Sequence, residues 1–156
     1  MKRYIRVAGV MALGMGCGLS GVVSAQDARL ADQTLHCAVW MVALHAVWAD
    51  SDAQAPRLER AARIFLDAHA KASGDRLDGS RVETLKQALQ VQWRSADALR
   101  AGRLREDAIV CGAWAEGFLA QGETYRYVPV YPKIVAPSVR AQYGALADRA
   151  LHAVVK

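Results

Sequence analysis

Cys37, Met41 and His45 recur at intervals of four, so on a helix they stack along one face. Thiolate, thioether and imidazole form a soft donor set of the kind that suits copper. The same stripe also describes a buried helix face, where methionine fills irregular gaps. If Cys37 is bonded elsewhere, only Met41 and His45 remain as ligands. The four histidines, His36, His45, His69 and His152, show no His-x3-His or His-Glu-x-x-His spacing, so a zinc hydrolase has no support. No Cys-x-x-Cys-His is present for covalent haem. None of Ser51, Ser73, Ser80, Ser95 and Ser138 sits in Gly-x-Ser-x-Gly, and no glycine-rich phosphate loop exists. The expectation is a non-catalytic protein with no cofactor. A small-ligand or copper-binding bundle using Met41 and His45, and an enzyme without a recognisable motif, stand as alternatives.

A second constellation is aromatic. Tyr125-Arg126-Tyr127-Val128-Pro129-Val130-Tyr131-Pro132 alternates aromatic and apolar residues with prolines, which favours an extended crossover over a helix. Tyrosine and arginine are enriched at binding hot spots. Tyr125, Arg126, Tyr127 and Tyr131 are therefore the candidate contact residues for a protein partner. The same side chains would also serve to cover an open side of a helical core.

Charge is unevenly spread. Residues 76–105 hold seven basic groups, Arg76, Arg81, Lys86, Arg94, Arg100, Arg103 and Arg105. Residues 106–123 hold four acids and no base. Such a run reads most simply as a solvated helix face, and otherwise as a docking surface or a basic strip for anionic lipid.

The N-terminus has the order of an export signal. Lys2, Arg3 and Arg6 precede an uncharged stretch from Val7 to Val23, and Val23-Ser24-Ala25 presents small residues at the peptidase positions. Cleavage after Ala25 would leave a single domain, 26–156, in the periplasm or outside the cell. The whole chain has 156 residues and a formal charge of +5, from 20 Lys and Arg against 15 Asp and Glu. Without the three basic residues of the leader the balance falls to 17 against 15, which gives nucleic acid little to bind. No other apolar run reaches spanning length, so no integral membrane segment is expected once the leader is gone.

The elements that must position these groups are helical. The expected class is all-α, an up-and-down four-helix bundle over about 27–121. It is followed by an extended segment over about 123–136 and a fifth helix over about 137–154. Asp27 is expected to cap a first helix running to about residue 50. Pro56 suits the start of a second, ending near Ser73-Gly74. Ser80-Arg81-Val82-Glu83 fits a capping box for a third, with Val82, Leu85, Leu89, Gln92, Ala96 and Leu99 inward and Ala101-Gly102 as its end. A fourth is then expected from about Arg103 to Gln121, with Glu106 and Asp107 in its first turn.

Cys37 and Cys111 remain after cleavage, and an even count in an exported chain suggests a disulfide. Leu30, Thr34, Cys37, Met41, Leu44 and Trp48 share one arc of the first helix. Leu104, Ala108, Cys111, Ala115 and Phe118 share one arc of the fourth. Both cysteines then face the core at mid-length of their helices, as a bridge requires. The expected function is that of an exported helical protein that binds another envelope or secreted protein, as an immunity or inhibitor protein or an envelope accessory factor.

Overall fold

Alanine and leucine dominate the sequence between its turn residues, and they are strong helix formers. The computed structural model describes residues 25–48, 53–121 and 134–153. Five helices account for almost all of them: α1 (Ala25–Trp48), α2 (Ala55–Ser73), α3 (Gly79–Arg94), α4 (Ala98–Gln121) and α5 (Pro137–Ala153). No strand occurs among the described residues. The all-α expectation holds. The leader before Ala25 and the Tyr125–Pro132 stretch lie outside the described residues.

The ends of the helices follow local chemistry. Pro56 occupies the first turn of α2, where its missing N–H costs nothing. Gly74 ends that helix in the left-handed conformation, φ 74°, and its N–H donates to the Ala70 carbonyl. Asp27 lies inside the first turn of α1, where it complements the helix dipole.

Two expected boundaries are corrected. The cap of α3 is Asp78, whose carboxylate accepts the Arg81 N–H at 2.8 Å and the Ser80 hydroxyl at 2.8 Å. Ser80 is thereby turned into a donor, and Glu83 pairs with Lys86 at 2.7 Å and does not reach back. The donation from the Arg81 N–H and the Ser80 hydroxyl holds the Asp78 carboxyl below its ordinary pKa. The second correction concerns Ala101-Gly102. The chain turns earlier, at 95–97, where the Asp97 carboxylate accepts the Arg100 N–H at 2.8 Å and starts α4. Gly102 sits within a continuous helix, and Glu106 and Asp107 lie in its third turn.

α1 is the centre of the packing. It touches all four other helices, most extensively α2, with which it forms a hairpin. Thr34 and the consecutive run Cys37, Ala38, Val39, Trp40 and Met41 are buried, so α1 is enclosed on all sides at mid-length. α2 presents Leu58, Ala62, Phe65 and His69 to it and keeps Arg57, Arg60, Arg63, Asp67 and Lys71 outside. His69 is satisfied by the Ala31 carbonyl at 2.8 Å. α5 packs on α4 through Tyr143, Leu146, Ala147 and Ala150. Gly112 makes this approach possible, because a Cβ there would land in the Tyr143 ring.

α3 is the outlying element. Its main packing is on α1, where Trp93 meets Trp40 with ring centroids 5.1 Å apart. Val82, Leu89 and Trp93 face inward. Gln92 and Leu99, expected on the inner stripe, are exposed, because the break at 95–97 separates Leu99 from α3 and Trp93 takes the inward position.

Candidate functional site

The disulfide is the fixed point from which the candidate groups are placed. Cys37 and Cys111 are bonded, with Cα atoms 5.0 Å apart, and join the middle of α1 to the middle of α4. Both are buried, at 0% and 2% exposure, which keeps a reductant from the sulfurs in the folded protein. Trp40 and Trp114, each three residues beyond its cysteine, are buried as well. With Cys37 taken by the bond, Met41 lies fully buried and His45 half-buried one turn apart on α1. Among the described residues no three His, Cys, Asp or Glu side chains gather to hold a metal. The two copper candidates thus have no third ligand of those types beside them.

Joining the cysteines brings His36, the neighbour of Cys37, to Asp107, one turn before Cys111. His36 Nε2 lies 3.8 Å from an Asp107 carboxylate oxygen and accepts the Trp40 indole N–H at 3.2 Å. The neutral imidazole satisfies the indole, so its proton sits on Nδ1. Burial holds the His36 pKa below its ordinary value, with the Asp107 charge pulling partway back. Burial also raises the Asp107 carboxyl, against the opposing pull of His36. Spacing in the chain gives no hint of this pair until the cysteines are matched.

A second polar junction joins α2, α4 and α5. The Tyr143 hydroxyl donates to Glu116 at 2.9 Å, and the other Glu116 oxygen accepts from Arg57 at 2.5 Å. Burial, followed by the Glu116 charge, pushes the Tyr143 phenol well above its ordinary pKa. Nearby, Gln142 donates to Gln54 at 3.1 Å. Arg140 donates twice to Glu106, and Arg105 donates to Asp148 at 2.9 Å. These contacts clamp α5 onto the bundle, and they engage Glu106 and Glu116 of α4.

The charge asymmetry of the sequence resolves through the same ion pairs. Of the seven basic residues in 76–105, Arg81 pairs with Asp75, Lys86 with Glu83, Arg105 with Asp148, and Arg76 reaches Asp67 at 4.0 Å. Arg94, Arg100 and Arg103 form no ion pair among the described residues and are exposed. All three lie at the α3–α4 corner. Val91 and Arg94 share a face of α3; Leu99, Arg100 and Arg103 share a face of α4. Val91 is 60% exposed and Leu99 69%. The third large exposed hydrophobic among the described residues is Ile134, at 64%, just ahead of the buried Val135.

A shallow depression of about 400 Å³ lies at the end of α2, lined by Asp67, Ala70, Lys71, Gly74 and Arg76. Its charges are of both signs, and it is open to solvent. No described helix is long and apolar enough to cross a membrane. Tyr125, Arg126, Tyr127 and Tyr131 fall in 122–133, outside the described residues. Compared with known proteins, the chain matches no family model, no curated protein and no solved structure.

Proposed function

We propose that the chain is exported and works by binding another envelope or secreted protein, without catalysis. The contact surface is centred on Tyr125, Arg126, Tyr127 and Tyr131. The observation that supports it most directly is Ile134. This side chain lies two residues after the Tyr125–Pro132 stretch and is 64% exposed, although the fold buries its neighbour Val135. An apolar group left in water close in sequence to three tyrosines and Arg126 is consistent with a contact surface in this part of the chain. The two helices that flank this segment in the chain, α4 and α5, are held firmly, because Tyr143, Glu116 and Arg57 tie them to each other and to α2. Binding segments act best when a rigid scaffold presents them.

The experiment is a capture from envelope extract, with the exported protein compared with a variant carrying Tyr125→Ala, Tyr127→Ala, Tyr131→Ala and Ile134→Ser. A specific protein partner retained by the parent and lost by the variant, at unchanged melting temperature, is the expected result. Equal recovery by both would overturn the assignment of the surface. A small molecule co-purifying in place of any protein would overturn the function.

A further inference from the structure

We propose that the α3–α4 corner is a second, separate binding surface, and that it docks on an anionic lipid bilayer. Three observations carry this. First, four of the seven basic groups in this part of the chain have carboxylate partners, whereas Arg94, Arg100 and Arg103 have none among the described residues. Within residues 76–105 the charge without an ion pair therefore falls on either side of one turn. The one acid between them, Asp97, caps α4 through the Arg100 backbone N–H at 2.8 Å and leaves three arginines against one carboxylate, while Asp107 farther along α4 faces His36.

Second, the apolar side chains beside these arginines point outward. Val91 and Leu99 are 60% and 69% exposed, so they protrude and do not line a groove. Protruding aliphatic groups ringed by arginine match the interfacial region of a membrane. The aliphatic tips enter the boundary of the acyl chains, and the guanidinium forks meet lipid phosphates. No aromatic anchor of the kind that seats a peptide is exposed at the corner, where Trp93 is buried.

Third, the corner is held in place. Trp93 is buried against Trp40 at the end of α3, and the Ala96 N–H donates to the Trp93 carbonyl at 3.3 Å. The two exposed faces thus flank a turn whose α3 side is fixed to the central helix. A surface that is already arranged loses less conformational freedom on binding.

The test uses protein purified after export, with its N-terminus read by mass spectrometry, and vesicles of phosphatidylglycerol in phosphatidylcholine against pure phosphatidylcholine. Any residual leader is common to all variants, so differences between them report the corner. The parent is expected to bind the anionic vesicles, and more weakly as salt rises. The combined variant Arg94→Gln, Arg100→Gln, Arg103→Gln should lose roughly a hundredfold in apparent affinity, from about fivefold per arginine near an anionic surface. Leu99→Gln leaves net charge unchanged and should lose severalfold. Removing the same charge elsewhere, at the exposed Arg29, Arg60 and Arg76, should cost much less. An equal loss in that control set would show a general charge effect and overturn the proposal. So would absence of anionic-vesicle binding by the parent. Loss of a protein partner by the corner variant, with vesicle binding unchanged, would reassign the surface to protein. Circular dichroism melts keep these outcomes separate from unfolding.

Discussion

Two glycines in α4 make opposite predictions, and together they test both the course of this helix and its closest contact. Gly102 lies within α4, exposed, and a Cβ added there meets nothing within 4 Å. Gly102→Ala then removes backbone freedom from the unfolded chain at no steric cost, which stabilises by about 1 kcal/mol. Gly112→Ala gains the same propensity, but its Cβ falls within the Tyr143 ring. That ring is 1% exposed and its hydroxyl is tied to Glu116, so it has little room to yield. Overpacking of this kind costs about 1–3 kcal/mol, and displacing the hydroxyl adds about 1 kcal/mol. After the propensity gain the net loss is about 1–3 kcal/mol. At about 3 °C per kcal/mol for a chain of this size, Gly102→Ala should melt about 3 °C higher. Gly112→Ala should melt about 3–9 °C lower. The assay is urea and thermal unfolding with the disulfide intact, together with a double-mutant cycle between Gly112→Ala and Tyr143→Ala. A coupling above about 1 kcal/mol is expected for groups in contact. Destabilisation by Gly102→Ala would refute the continuous helix and restore a break at 101–102. Neutral behaviour at Gly112 with no coupling would refute the close approach of α5.

Thiol titration of the denatured, unreduced exported protein should find no free thiol at Cys37 or Cys111. Replacing both by Ala should cost about 4 kcal/mol in the chain-entropy picture, because the bonded residues are 74 apart. His36 should titrate below the ordinary histidine range, followed by NMR. Its folded pKa is depressed, so its contribution to stability is complete above the unfolded value near 6.5 and is lost as pH falls through the folded value. Asp107→Asn removes the charge that raises it, so the midpoint should fall further; a rise would contradict the pairing. Tyr143→Phe should lose about 1 kcal/mol of stability by urea unfolding, and no loss would mean that the Glu116 hydrogen bond does not hold α5.

Much of the fold was legible because its signals are local or periodic. Pro56 and Gly74 bound α2 where their backbone chemistry requires, and the arc through Thr34, Cys37, Met41 and Leu44 is buried as its spacing implies. The two cysteines met because each sits at mid-length on an inward face. The α3–α4 boundary was misjudged for a physical reason. Gly102 offered itself as a stop, and Ser80 with Glu83 matched a capping box. Both times an aspartate nearby, Asp97 and Asp78, supplied the better acceptor for a backbone N–H. The candidate corner was hidden by that error, because Leu99 had been assigned to an inner stripe. Its three arginines were visible as charge in the sequence. Their lack of partners was not, since Asp148, Asp75 and Glu83 had first to claim their neighbours. The His36–Asp107 pair is similarly a product of long-range pairing, beyond the reach of spacing in one chain.

The enclosure of α1 bears on how the chain comes to be made. Five consecutive residues, Cys37 to Met41, are buried on every side of the helix. The partners that cover them lie on α2, α3, α4 and α5, all later in the chain. During synthesis the segment with the greatest need for cover therefore emerges before anything that can supply it. α2 can meet it early, through a short local hairpin. The faces turned toward Trp93 and Cys111 stay open until most of the chain has been delivered. A charged substitution at Ala38 or Ala43, both fully buried in the finished fold, would cost nothing in this interval and would be felt only when the later helices close over α1.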